Sequence, residues 1–100
     1  MEVIIIENEK DCTIRFEGRL DTPAALEVSR KVQPVLDNAG KSILIDCGNL
    51  EYISSSGLRI FLSIRKAAAA QGGSVVIENI NDDIRQVFMM TGFLNLFEIR

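Results

Sequence analysis

The sequence predicts an α/β domain, a mixed β-sheet of about four to five strands with three helices. Three observations predict it. Two β-branched or alternating apolar runs open the chain close together, at Val3–Ile6 and Cys12–Phe16. Two later short apolar runs, Ile43–Ile45 and Val75–Ile77, are each followed by a segment of helical spacing. Pro23, Gly40, Gly72-Gly73 and Gly92 stand where one pattern gives way to the next. The order is therefore β-β-α-β-α-β-α with a short final strand. Strand–helix alternation after a hairpin calls for right-handed crossovers, hence a sheet that is part antiparallel and part parallel.

Val3 to Ile6 reads as the first strand. Cys12, Ile14 and Phe16 alternate with Thr13, Arg15 and Glu17, the period of a half-buried second strand. The polar Asn8-Glu9-Lys10-Asp11 joins them into a hairpin that Gly18 ends. Asp21-Thr22-Pro23 opens a helix, with Thr22 as cap and Pro23 at the first helical position, where its missing N–H needs no partner. Ala25, Val28, Val32, Val35 and Leu36 recur at helical spacing. Pro34 interrupts them, which predicts a kinked last turn or an early end, and Asn38-Ala39-Gly40 closes the helix.

Ile43-Leu44-Ile45 is apolar on both faces, so it predicts a central strand covered on both sides or parallel to a neighbour. A polar loop follows, then Ser54-Ser55-Ser56-Gly57 and a second helix. Leu58, Phe61, Leu62 and Ala69 form its apolar face, extended by Ile64 and Ala68, with Arg59, Ser63 and Lys66 opposite. Gly72-Gly73 stops it. Val75-Val76-Ile77 is a further strand. Asn81 caps a third helix carrying Ile84, Val87 and Phe88, Gly92 ends it, and Leu96–Ile99 forms a last short strand. Phe88, Met89, Met90 and Phe93 read as core or edge packing. No repeat, low-complexity segment or linker divides the chain, so one small domain is expected over residues 1–100.

Composition narrows the function. The net charge is −3, against nucleic-acid binding, which needs clustered Lys and Arg. No apolar run approaches the roughly 20 residues of a membrane span. The N-terminus lacks a basic segment and a small-residue cleavage site, so it does not read as a signal peptide. With two cysteines far apart, no Cys-x-x-Cys pair and no histidine, no metal site is expected. Cys12 and Cys47 read as core residues of a reduced, cytoplasmic protein.

The serine cluster sits where a strand gives way to a helix. A helix start offers free backbone N–H groups and a positive dipole end, which suit a hydroxyl cap or a phosphate. The cluster is thus a plain cap or a site of reversible phosphorylation. Hydrolase chemistry is disfavoured: a Ser-His-Asp triad is impossible without histidine, no lysine lies near the serines in sequence, and the Gly-x-Ser-x-Gly elbow is absent. Asp21, Asp46 and Glu51 are scattered and do not make a carboxylate pair. No phosphate-cradling Gly-x-x-x-x-Gly-Lys loop is present, and no cofactor is implied.

Ile43-Leu44-Ile45-Asp46 followed by Leu50-Glu51-Tyr52-Ile53-Ser54-Ser55-Ser56-Gly57-Leu58-Arg59 resembles the signature of STAS domains, which include the anti-sigma factor antagonists. Phe16-Glu17-Gly18-Arg19-Leu20-Asp21 resembles that family's Gly-x-Leu-Asp turn, and Val87–Phe93 its closing helix and glycine. The three segments occur in the family's order and cover nearly the whole chain. The resemblance implies a protein that is a substrate and a ligand rather than an enzyme. An anti-sigma factor with kinase activity would phosphorylate Ser56, the serine before the glycine. The unmodified form would bind that anti-sigma factor and free a sigma factor, and a phosphatase would reset the modified form. Ser54 stands where most phosphorylatable members carry aspartate and is expected to cap the helix in its place. Ser55 is expected to be a cap or loop hydrogen-bonder. Asp21 and Thr22 are expected near the serines, and Gly57, Leu58 and Arg59 complete the motif. Gly57 is expected to admit a close partner backbone, and Arg59 to be exposed beside it. The usual C-terminal helical extension is expected to be short or absent. The alternative is a STAS accessory or scaffold subunit, as in a lipid or solute transport system, that binds partners without phosphorylation.

Overall fold

The computed structural model describes residues 1–100. β1 (Glu2–Glu7) and β2 (Asp11–Leu20) form the antiparallel hairpin. Next to them lie β3 (Ser42–Ile53), β4 (Ser74–Glu78) and β5 (Glu98–Ile99), each parallel to its neighbour. The five strands make one sheet in chain order. α1 (Thr22–Leu36), α2 (Ser55–Gln71) and α3 (Asp82–Thr91) are the crossovers. A further short turn, α4 (Phe93–Leu96), precedes β5 and is absent from the predicted order.

A single cluster of 23 buried residues forms the core. Cys12, Ile14 and Phe16 of β2, Ile43, Ile45 and Cys47 of β3, and Ile77 of β4 supply its sheet side. Four aromatic contacts run through it, from Phe16 to Phe61 (5.0 Å between ring centroids), Phe88 (6.1 Å), Phe93 (5.3 Å) and Phe97 (5.4 Å). α4 exists because of that chain. Gly92 takes a left-handed conformation at the end of α3, and the turn that follows sets Phe93 against Phe88 and Phe97 against Phe93.

Several expectations are corrected. β2 does not end at Gly18, which adopts φ +100 inside the strand, a conformation that favours glycine, and pairing continues to Leu20. The polar stretch after Ile45 is not a loop. β3 continues through it to Ile53 with two bulges, each inserting one extra residue opposite β2. The bulges space the buried positions Cys47, Leu50 and Ile53 three apart, which hides the strand from a period-two reading. β3 is parallel to both neighbours, but Leu44, on the face away from Ile43 and Ile45, is only half-buried. Asp21, not Thr22, caps α1: its carboxylate accepts from Ala24 N at 3.0 Å, and Pro23 becomes the second helical residue. Pro34 lies in the last turn, where little helix remains to lose, and α1 runs two residues past it. On α2 the buried face is Gly57, Ile60, Phe61, Ile64 and Ala68, while Leu62 and Ala69 are exposed. Phe88 and Phe93 are core, but Met89 and Met90 are 62% and 81% exposed because Ile84 and Phe88 already set the inner face of α3.

Candidate functional site

β2 and β3 end side by side. Leu20 and Ile53 are register partners, and Ser54 N donates to Leu20 O at 2.9 Å, one step beyond the strand pairing. α1 and α2 therefore start next to each other at the carboxyl edge of the sheet, where ligands of parallel sheets gather. Asp21 caps one and Ser54 the other. Ser54 Oγ accepts from Gly57 N at 3.1 Å, and Ser54 O accepts from Leu58 N at 2.9 Å. The expected cap at Ser54 is thus present.

With Ser54 as cap, Ser55 and Ser56 are the first two helical residues. Ser55 is exposed and is not a cap, as the backbone is already helical there. Ser56 is half-buried and turned toward α1. It lines an open groove of about 340 Å³ between the two helices, together with Thr22, Leu26 and Ser29 of α1 and Arg59 and Ser63 of α2. Thr22 and Ser56, 34 residues apart in sequence, meet there because their strands are neighbours. Arg59 is exposed, as its helical position predicts.

Gly57 faces the other way. A Cβ built on it would lie 2.7 Å from Leu20 Cγ and 2.9 Å from Ile53 Cγ1. Its bare Cα lets α2 settle onto the strand ends, so it serves packing within the chain rather than a partner's approach. Leu58 is half-buried against the core. Reading from the sequence missed Leu26, Ser29 and Ser63. Thr22, Leu26 and Ser29 repeat on α1 with the spacing that Ser56, Arg59, Ile60 and Ser63 show on α2, a signal that acquires meaning only once the helices are known to be adjacent. Leu26, 72% exposed, is the largest apolar surface on that rim.

Arg59 is the only titratable side chain lining the groove, and a guanidinium is too basic to act as a general base for the Ser56 hydroxyl. Cys12 and Cys47 lie buried and unpaired in the core. Burial pushes the Cys47 thiol up to about 12, and raises Cys12 as well, so neither carries a thiolate at neutral pH. No three His, Cys, Asp or Glu side chains cluster in a way that would hold a metal ion. No helix is long and apolar enough to cross a membrane.

A family model described as the STAS domain matches residues 2–100. The chain is 27% identical over 99 residues to the anti-sigma-B factor antagonist of Bacillus subtilis, covering 99% of this chain and 90% of that protein. Its fold superposes with a TM-score of 0.81 on an anti-sigma factor antagonist from Mycobacterium paratuberculosis, at 18% identity, covering 98% of this chain and 83% of the other. The Bacillus cell fate determinant SpoIIAA in its phosphorylated form gives 0.75 at 20% identity, covering 99% and 91%. The unphosphorylated form of SpoIIAA gives the same TM-score.

Proposed function

The chain belongs to the STAS domain family, and from that premise we propose that it is an anti-sigma factor antagonist switched by reversible phosphorylation of Ser56. The unmodified protein binds a cytoplasmic anti-sigma factor with serine-kinase activity and so frees a sigma factor. Phosphate on Ser56 ends that association, and a phosphatase restores it. The observation that carries the reading is the setting of Ser56, a half-buried hydroxyl at the second position of α2 in a groove shared with α1. The lack of a general base among the groove-lining side chains supports a substrate role rather than an enzymatic one.

The energetics favour a switch that leaves the fold intact. A phosphoryl group adds roughly −1.5 to −2 charges and three acceptor oxygens. At the start of α2 the helix dipole favours an anion by about 0.3–1 kcal/mol. A docked protein that covers Ser56 meets the same charge as a desolvation penalty of several kcal/mol, whereas ten-fold in affinity needs only about 1.4. That the related fold of SpoIIAA occurs in both phosphorylated and unphosphorylated forms supports the same logic.

The reading is tested by incubating the protein with its cognate anti-sigma factor and ATP and mapping phosphate by mass spectrometry. Phosphate on Ser56 that disappears in Ser56→Ala is the expected result. Transfer to Ser55 instead, or stable association with no transfer at all, would overturn it. The latter outcome favours an accessory module that binds without modification.

A further inference from the structure

Thr22, Ser29, Ser56 and Ser63 give the groove between α1 and α2 four hydroxyls, and Arg59 gives it a single charge. Arg59 follows Ser56 by three residues on α2, so the two side chains leave the same helix face with Cβ atoms about 5–6 Å apart. The Arg59 guanidinium takes part in none of the four ion pairs of the molecule, which engage Arg15, Lys31, Lys41 and Arg100. Its side chain makes no hydrogen bond either; its backbone carbonyl accepts from Ser63 Oγ at 3.0 Å. No carboxylate lines the groove. Asp21, at the head of α1, turns Oδ1 onto the Ala24 amide, and Arg19, at the end of β2, stacks over the Tyr52 ring at 4.5 Å. Arg59 therefore shares the groove with Ser56, one helical turn away, and no carboxylate lines that groove to compete for it.

We infer that Arg59 is the built-in counter-ion of the Ser56 phosphate, an inference that rests on the proposed modification of that serine. In the unmodified protein the groove carries one positive charge and accepts an acidic side chain from the docked partner. Phosphate on Ser56 captures the same guanidinium through charge-assisted hydrogen bonds within the helix. The groove then passes from a charge of +1 to about −0.5 to −1. Modification thus removes the cation that the partner used and adds charge of the opposite sign.

The test uses full-length protein with phosphoserine installed at position 56 during synthesis, so no kinase is needed, and follows the second ionisation of the phosphate by ³¹P NMR titration. A paired phosphate loses its last proton more readily, so its pKa is expected below the value near 6 of free phosphoserine. Arg59→Gln is expected to raise it by about half a unit, in keeping with an exposed pair. Arg59→Lys should retain part of the lowering, and Arg85→Gln, on α3 and outside the groove, should leave it unchanged. Arg59→Gln titrating together with wild type would overturn the inference. A failure of the phosphorylation reading shows itself elsewhere, as no transfer from the anti-sigma factor to Ser56, and leaves this titration standing.

Discussion

The first turns of α2 and α3 are built on one plan. Ser54 Oγ accepts from the amide of the third helical residue, Gly57, at 3.1 Å, and Asn81 Oδ1 accepts from that of Ile84 at 2.9 Å. The first two helical residues are Ser55 and Ser56 in α2 but Asp82 and Asp83 in α3. α3 carries permanently, on its second residue, the kind of charge that phosphorylation would place on Ser56. A helix start in this sheet therefore accepts an anion at that position, as the dipole favours. The third residue differs as well. Ile84 plugs the core, while Gly57 is bare because Leu20 and Ile53 already fill the space. α3 is anchored by its own side chain, and α2 is seated by the lack of one.

That contrast sets the largest expected effect. Ile84→Ala leaves a cavity beneath α3 and should cost about 2–4 kcal/mol in urea unfolding. Gly57→Ala errs in the opposite direction, forcing a methyl against Leu20 and Ile53, and should cost about 1–3 kcal/mol. A Gly57→Ala protein as stable as wild type would mean that the glycine serves partner access after all. The caps come next. Ser54→Ala should cost about 1 kcal/mol, and Asn81→Ala more, because Asn81 Nδ2 also donates to Leu50 O at 2.9 Å. Equal losses at the two caps would remove that distinction between them.

Asp46 ties β3 to β2 and to the segment ahead of α3. Its Oδ1 accepts from Gly48 N at the first bulge of β3 and from Asn79 Nδ2 ahead of α3, and its Oδ2 accepts from Arg15. Burial alone would raise its pKa, but the hydrogen bonds from Gly48, Asn79 and Arg15 outweigh it and hold the carboxyl below its ordinary value. A depressed folded-state pKa contributes stability above the unfolded value near 3.9, and that stability is lost as pH falls through the lower folded value. Asp46→Asn should therefore cost about 0.5–1 kcal/mol at pH 7, with the gap to wild type closing below about pH 4 in pH-dependent melts. A gap that persists unchanged in acid would assign the loss to shape rather than charge.

The contrast between α2 and α3 also marks how far the sequence was legible. Ser54 and Asn81 could be read as caps because a small polar residue before a helical pattern has few other uses. The strand, strand, helix order was legible for the same reason: the apolar periods change at turn residues. β3 runs further than its sequence suggests because its bulges put Cys47, Leu50 and Ile53 on one face at a spacing no regular strand shows. Ile60 and Leu62 both extend an apolar stripe along α2, and only the seat of that helix on Leu20 and Ile53 buries the first and leaves the second exposed. Ser56 was picked out by its motif, but its neighbours Thr22, Leu26 and Ser29 depend on two strands ending together, a fact of tertiary pairing.

The most direct test measures, by calorimetry, the binding of the cognate anti-sigma factor to the unmodified protein and to the same protein phosphorylated on Ser56, alongside the thermal midpoint of each form. Affinity should fall at least about ten-fold, or about 1.4 kcal/mol, while the midpoint holds or rises slightly, as the acidic start of α3 leads one to expect. Equal affinity for both forms, or a phosphoprotein that melts before it releases its partner, would contradict the account.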